Sequence, residues 1–511
     1  MGKDAVISLS MNKLIVISLA YLYVNVAFFL IGWYAPCFSI PLCAAGGLCL
    51  YIIARNLRDA DEICWSLRWG DICLLAFLFG IVVLGVMETG LVGGFATHHD
   101  YYAFRNGLYH NLIDAAWPLV LPDKREMSYY LCGMLVPASL SRLTSQYEIQ
   151  QWLLLLWSCV PIFFALCLMF HKLQRFSWIL LLVALFSLSP VEGGWNGTCL
   201  GRLMEYLCRD CLHLSWNETP IIGRWKCVVA KPALLAASAP MLALSIIVSS
   251  KKHSTLVIPF AMAMLAAISP LGAVGIFPLA VVAYFQGCKR EGSIIPADYG
   301  FTLVYSCLLA CCWLLYFSRS ESDVFVGLTS ECWGFTTCMM WYVPTQVVLV
   351  LMCYHLFLLQ KKDPLFLSLI ILISIVPLLF IGSSPRNFSG LNELWLKSQP
   401  AYAMLLAYYL AASIDKLPRW VVVLWVCCTL IQVWTFVSRI TEYDSTIEIK
   451  DSLNGHLYHP QHDFLKQSCP DCKPPKIKGI ILQESGASER TFPGNLLPSA
   501  PGCDYSRPLQ L

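Results

Sequence analysis

The feature that most constrains this chain is a series of apolar runs that recurs from residue 13 to residue 437. A helix needs about 20 mostly apolar residues to cross the hydrocarbon core of a bilayer. Only 13% of the residues are charged, whereas a water-soluble domain carries roughly a quarter. The sequence therefore predicts an all-α polytopic membrane protein rather than a soluble fold.

The apolar runs predict about 13 transmembrane helices, within a range of about 11 to 14. The predicted spans are residues 13–34, 37–54, 71–92, 151–170, 176–190, 231–250, 255–269, 271–286, 297–317, 341–360, 364–382, 399–415 and 420–437. We expect the first run to be a retained span, because it exceeds the core of a signal peptide. A short apolar stretch, residues 129–143, contains Pro137 and is predicted to be a re-entrant or interfacial helix. Segment 269–272 either joins two spans or breaks one long helix.

Basic residues predict how the chain is oriented in the membrane. If residues 129–143 do not cross, the short loops that carry Lys and Arg all fall on one side, which is cytoplasmic by the positive-inside rule. These residues are Arg55, Arg58, Arg68, Lys172, Arg175, Lys251, Lys252, Lys289, Arg290, Lys361, Lys362, Lys416 and Arg419. The N-terminus is then cytoplasmic, and we expect a multi-pass protein of an inner (plasma) membrane.

This topology divides the chain into a transmembrane domain, residues 1–437, and an external, largely irregular tail, residues 438–511. The large external loops of the domain are residues 93–150, 191–230, 318–340 and 383–398. Loops longer than a connection requires are often functional, so we expect a loop-assembled site on the external face. The net charge of +3 is spread along the chain, which argues against nucleic-acid binding.

The densest polar cluster beside a predicted span follows span three and contains His99, Asp100, Arg105, His110 and Asn111. An Asp at the outer mouth of a helix can accept a proton from a hydroxyl group or hold a divalent cation, because water keeps it ionised. An ordinary solvated acid fits the same local pattern. The histidines lack the paired helical spacing of a zinc site, so the need for a metal stays unknown.

Three further residues are candidates because of their place relative to the membrane. Glu88 lies inside the apolar run of span three, and an acid there either serves a function or reaches the interface. Arg386 and Lys397 stand close to the start of span twelve. They can bind a phosphate group at the membrane surface, or their side chains can simply extend toward water.

Two segments of the chain resemble the GT-C superfamily of polytopic glycosyltransferases, whose members place an Asp in the first large external loop. More narrowly, the chain is similar to bacterial GT-C-like membrane proteins that have an Asp-Trp-x-Lys-His-Asn-like loop, a Trp-Pro pair and a late Asn-Asp-x-x-Met-Arg-x-Ser-x-Pro segment. The matching pieces are Asp100, Arg105-Asn106, His110-Asn111, Trp117-Pro118, Asn392-Glu393, Lys397-Ser398 and Pro400. The chain departs from the pattern where Tyr101 replaces Trp, Glu393 replaces Asp and Lys397 replaces Arg.

The resemblance implies inverting transfer of a sugar from a polyprenyl-phosphate donor in the outer leaflet to an acceptor hydroxyl group. Asp100 would be the general base, and Arg386 or Lys397 would hold the donor phosphate. The remaining substrate contacts would come from His99, Arg105, His110, Asn111, Asn392, Glu393 and Glu88. The donor and the membrane lipids are the expected partners. The alternative is a transporter or lipid flippase, in which Glu88 and the Pro and Gly residues at 269–275 mark a site at the membrane midplane.

Overall fold

The computed structural model describes much of the predicted transmembrane domain. The described residues are 7–58, 64–88, 108–119, 131–144, 146–186, 235–250, 253–291, 297–318, 324–328, 350, 353–383 and 393–427. They are mostly helical, as the hydropathy predicts.

The helices follow one another with short connections wherever consecutive ones are described. They are α1 (Met11–Trp33), α2 (Pro36–Arg58), α3 (Trp69–Glu88), α4 (108–114), α5 (Cys132–Ser141), α6 (Tyr147–Leu173), α7 (Trp178–Phe186), α8 (Leu235–Ser249), α9 (Ser254–Ile268), α10 (Pro270–Glu291), α11 (Ala297–Ser318), α12 (353–360), α13 (Pro364–Ile375), α14 (Glu393–Ser413) and α15 (419–427). Strand β1 (Ile7–Ser10) pairs antiparallel with β2 (Cys64–Leu67), and β3 (Val324–Leu328) pairs antiparallel with β4 (Leu379–Ser383).

Local capping sets where several helices begin. The Ser10 side chain accepts a hydrogen bond from Lys13 N at 3.3 Å and so caps α1. At the start of α13, Asp363 Oδ1 accepts from Leu365 N at 2.9 Å, and Pro364 occupies the first helical position. Both arrangements satisfy backbone N–H groups that have no partner inside the helix.

Among the described residues, five helices are long and apolar enough to cross a membrane: α1, α2, α10 and most of α6 and α11. Shorter apolar helices include α5, α8 and α9. Large apolar side chains point outward from the long helices; Phe38 is 65% exposed and Leu314 is 72% exposed. Such a surface suits contact with lipid rather than with water.

Helix α8 forms the centre of the bundle. It packs against α1, α6, α9, α10 and α14, and from Ser238 to Ser250 every residue except Val248 is buried. A helix that is apolar on all sides belongs in the interior. Glycines allow close approach around it: a Cβ added at Gly275 of α10 would lie 1.8 Å from the Ser398 hydroxyl oxygen. Small residues at helix contacts are typical of membrane bundles.

The helix ends that carry the basic residues lie at one end of the bundle, which we call the basic end. Hydrogen bonds connect them: Asn12 Nδ2 to Leu57 O (2.7 Å), His171 Nε2 with Leu9 O (2.8 Å), Lys172 Nζ to Val248 O, Ser254 N to Glu291 Oε1 (2.7 Å), Arg175 to Ala411 O (3.0 Å) and Gln360 Nε2 to Ser413 Oγ (2.9 Å). The opposite end holds the end of α1 and the beginnings of α6 and α14. This arrangement agrees with the grouping of charges on which the predicted topology rests.

Segment 269–272 joins two helices that run side by side in opposite directions. Helix α9 ends at Ile268, and α10 begins at Pro270. Far from this turn, the Glu291 carboxylate accepts hydrogen bonds from the N–H and the hydroxyl group of Ser254 at 2.7 and 2.8 Å. Of the two alternatives that the sequence left open, the structure therefore shows the turn between two helices.

Two predicted boundaries differ in the structure. The span predicted at 364–382 is helical only to Ile375 and continues through a 3-10 turn, Val376–Leu378, into strand β4. Pro377 explains the change, because proline has no N–H to donate and disfavours a helical residue before it. Helix α14 begins at Glu393 rather than at residue 399, and the acidic side chain in its first turn favours this start.

Candidate functional site

Apart from Glu88, the predicted site residues that the structure describes fall into two groups. His110 and Asn111 lie on α4, while Glu393 and Lys397 lie on the first turns of α14. Glu88 is the last residue of α3. His99, Asp100, Arg105, Arg386 and Asn392 lie outside the described residues, so their predicted roles stay predictions.

Helix α4 is held against the end of α5 and the start of α6 by Tyr109. This side chain is fully buried, and its hydroxyl oxygen lies 2.7 Å from Ser141 Oγ. The Tyr109 hydroxyl also donates to Gln150 O at 3.0 Å. Burial raises the pKa of Tyr109 well above its ordinary value, so the hydroxyl group keeps its proton. The tyrosine therefore anchors the segment that follows the predicted Asp100 loop.

Arg142 holds the other end of α4. Its guanidinium donates to Ile113 O at 3.0 Å, to Leu112 O at 2.9 Å and to Ala115 O at 2.5 Å. The last carbonyl groups of a helix have no partner within the helix, so Arg142 supplies one for them. The same guanidinium carbon lies 4.5 Å from the centre of the Trp117 ring, within the range of a cation–π contact.

The Arg142 clamp also affects the neighbouring acid on α4. Partial burial raises the pKa of Asp114, and the nearby Arg142 charge opposes this effect. The residue as a whole is exposed. Asp114 is thus a solvent-accessible carboxylate in the same predicted external loop as Asp100.

His110 is buried and paired with a glutamine of α6. It is 4% exposed, and its Nε2 atom lies 2.6 Å from Nε2 of Gln151, which is fully buried. Burial lowers the pKa of His110 to about 4, so the imidazole is neutral at pH 7. Asn111, the next residue, is partly buried. In the described part of the chain, no group of His, Cys, Asp and Glu is arranged to hold a metal ion.

Glu393 and Lys397 form an ion pair one turn apart on α14. The Lys397 ammonium donates to Glu393 Oε2, and the side chains are 2% and 20% exposed respectively. Lys397 therefore does not extend to the surface, which was one of the two hypotheses for it. Beside the pair, Ser398 lies against Gly275, and the Tyr402 hydroxyl donates to Gly275 O at 2.6 Å. Helices α10 and α14 are thus in close contact next to Lys397 in the sequence.

Both groups lie at the end of the bundle opposite the basic end. Trp117, which follows α4, packs on Trp33 at the end of α1, with ring centres 6.1 Å apart. Lys397 lies near the beginning of α14, whose other end carries Ser413 at the basic end. Two buried polar pairs therefore lie at this end of the bundle, on different helices.

Sequence reasoning did not single out Arg142 or Gln151. A signal for each was present: Arg142 directly follows the short apolar stretch α5, and Gln151 belongs to a Gln-Gln pair in the first turns of the apolar helix α6. Polar side chains at such places are costly to bury without partners, which makes them candidates for specific contacts.

The described geometry suits two kinds of contact. A neutral imidazole beside a buried amide can hydrogen bond an uncharged polar group, and a buried ammonium group can attract an anion. Comparisons of the chain with protein-family models, with curated proteins and with solved structures found no match.

Proposed function

We propose that this chain is a membrane glycosyltransferase of the GT-C type, which moves a sugar from a polyprenyl-phosphate-linked donor to an acceptor hydroxyl group. The reaction takes place on the external face of a bacterial inner membrane. The observation that carries the proposal is that two buried polar pairs, His110 with Gln151 and Lys397 with Glu393, lie at the end of the bundle opposite the basic end.

A lipid-linked donor explains why these groups are buried among apolar helices. Its prenyl chain stays in the hydrocarbon, and its phosphate lies near the depth at which the spans end. The buried Lys397 ammonium needs an anion close by, which Glu393 supplies in the structure. In the proposed reaction, Arg386 or Lys397 holds the phosphate that becomes the leaving group.

Asp100 is the general base in this proposal. It removes the proton of the acceptor hydroxyl group while that oxygen attacks the anomeric carbon of the sugar. The bond from the anomeric carbon to the phosphate oxygen breaks, and polyprenyl phosphate leaves with the electron pair. Helix α4, anchored by Tyr109 and Arg142, begins at residue 108 and would hold the chain that follows Asp100.

Transport is the second candidate function, and one observation favours it. Ionisable side chains buried among membrane helices often mark the path of an ion or substrate, and the Glu393–Lys397 pair is of this kind. Segment 269–272 does not add to this argument, because it is a turn between the antiparallel helices α9 and α10 rather than a break inside one helix.

A transfer assay distinguishes the two functions. The full chain is placed in vesicles with radiolabelled polyprenyl-phosphate sugars, and transfer is measured per folded molecule for wild type, Asp100→Asn, Glu88→Gln and the control Asp114→Asn. Losing a general base typically costs about 100- to 10,000-fold in rate, so Asp100→Asn should lose nearly all transfer. The control should retain most of it, and Glu88→Gln should lose less than Asp100→Asn.

Two results would count against this proposal. If Asp100→Asn keeps more than about a tenth of the wild-type rate, Asp100 is not the base. If labelled sugar lipid changes leaflet without any transfer of its sugar, the transport function is the better explanation.

A further inference from the structure

The buried polar cluster between α4, α5 and α6 is satisfied almost throughout. The Tyr109 hydroxyl group bonds to Ser141 Oγ and to Gln150 O, and Gln150 Nε2 donates to Ser141 O and Thr144 O at 3.3 and 2.9 Å. Buried polar groups in native proteins normally have such partners. An exception within this cluster therefore needs an explanation.

The exception is one end of the Gln151 side chain. Gln151 is fully buried, and its amide nitrogen lies against His110 Nε2. Its amide oxygen has no hydrogen-bond partner within the described chain. A buried carbonyl oxygen without a partner is costly in an apolar surrounding, so a group outside the described residues is expected to bond there.

The chemistry of that partner follows from the amide. The oxygen and nitrogen of a glutamine side chain are assigned from their neighbours, and exchanging them would leave the nitrogen without a partner instead. A hydroxyl group satisfies either arrangement, because it both donates and accepts a hydrogen bond.

The charges on the described residues near α4 favour an uncharged ligand. His110 is neutral at pH 7 because burial lowers its pKa to about 4. The guanidinium of Arg142 is occupied by the carbonyl groups of Leu112, Ile113 and Ala115. A phosphate at Gln151 would therefore find no free cation among these neighbours, whereas a sugar hydroxyl needs none.

We propose that Gln151, together with His110, forms a subsite that binds a hydroxyl group of an uncharged carbohydrate. The proposal rests on the proposed glycosyl transfer for the choice of a carbohydrate, and it makes Gln151 a residue that determines specificity. The hydroxyl group can belong to the sugar of the lipid-linked donor or to a free acceptor sugar. The test uses separate probes for these two sources.

The test measures thermal unfolding of the full chain in lipid nanodiscs, because detergents with sugar headgroups would compete for the subsite. A thiol-reactive dye reports unfolding through buried cysteines such as Cys132, Cys159 and Cys167. The probes are a panel of methyl glycosides, polyprenyl-phosphate sugars, and sodium phosphate at matched ionic strength. We expect a concentration-dependent rise in Tm with at least one sugar probe and none with phosphate.

Variants assign the effect to Gln151. Gln151→Met keeps the length of the side chain and should abolish the rise in Tm. The control Ser158→Ala removes a buried hydroxyl group of the same helix, which already donates to Leu154 O at 2.8 Å, and should keep the rise. If Gln151→Met does not fold, monodeoxy glycosides are compared on the wild-type protein. One of them should lose the effect, because it lacks the hydroxyl group that is bound.

The subsite is refuted if no sugar probe raises the wild-type Tm, if phosphate raises it equally, if Gln151→Met responds like wild type, or if every monodeoxy analogue responds alike. Its failure is distinct from failure of the proposed function. If transfer needs Asp100 but Gln151→Met leaves the KM for donor and acceptor unchanged, only the subsite proposal is refuted. If a sugar binds at Gln151 but no sugar is transferred from polyprenyl-phosphate sugars, only the glycosyltransferase proposal is refuted.

Discussion

Glu393→Gln is expected to destabilise the protein strongly, because it removes the anion beside a buried ammonium group. The Lys397 side chain is 2% exposed, and Glu393 is 20% exposed. Removing one partner of a buried ion pair costs about 3–5 kcal/mol, since the remaining charge loses its counter-ion. Water reaches Glu393 in part, so we expect a cost of about 3 kcal/mol, at the lower end of that range. This corresponds to more than about a hundredfold in the unfolding equilibrium constant.

A double-mutant cycle isolates the pair. Lys397→Met alone should cost less than Glu393→Gln, because the remaining carboxyl group is partly exposed and can take up a proton. The double variant should lie within about 1 kcal/mol of wild type, since neutral groups of similar volume often replace a buried pair without loss. The matched control is Asp415→Asn. It breaks the exposed Arg175–Asp415 pair at the basic end, where the two side chains are 47% and 79% exposed, and it should cost at most about 1 kcal/mol.

Unfolding is followed in detergent with a thiol-reactive dye, which reacts with buried cysteines as the bundle opens. The reasoning is refuted if Glu393→Gln and Asp415→Asn destabilise the protein equally. It is also refuted if the double variant loses as much stability as the two single changes added together, because the charges would then not stabilise one another.

Three further predictions concern orientation, pH and packing. In a cysteine-depleted background, Asp114→Cys should react with an impermeant thiol reagent from outside the cell and Lys362→Cys only after permeabilisation, because both residues are exposed and lie at opposite ends of the bundle. Stability should fall as the pH drops from 6.5 to 4, because the pKa of His110 is lowered from 6.5 to about 4 in the folded protein and the unfolded chain takes up a proton first. The contribution of His110 to the free energy of unfolding, on the order of 3 kcal/mol, is fully present above pH 6.5. In His110→Gln, the part of the pH dependence of Tm that comes from this group should disappear. Gly275→Ala should cost about 1–3 kcal/mol in thermal unfolding, because its Cβ would clash with α14. Gly80→Ala, which meets nothing within 4 Å, should cost nothing.

Each of these predictions has a result that contradicts it. Labelling at position 114 only after permeabilisation would reverse the proposed orientation. An unchanged pH dependence in His110→Gln would show that another group titrates. Equal stability of the two alanine variants would mean that α10 and α14 can separate without cost.

The positions of most helices could be predicted from hydropathy, because the ability to span a membrane depends on a run of neighbouring residues. Thus α1, α2, α6 and α10 overlap the predicted spans at 13–34, 37–54, 151–170 and 271–286. The site was harder to predict. The sequence pointed to His110 and Lys397, but it suggested neither the buried amide beside the histidine nor the pairing of the lysine with Glu393.

The sequence by itself determined that the chain forms apolar helices and that its basic residues follow a one-sided pattern, since both properties are read along the chain. Only the tertiary structure decided which polar side chains are buried and what they contact. Arg142 bonds to carbonyl groups of α4, and Gln151 meets His110, each across a long stretch of sequence. Such contacts depend on how α4, α5 and α6 pack against one another. The physical reason is that helix formation is driven by local hydropathy, whereas the partners of a buried polar group are set by neighbours that only folding brings together.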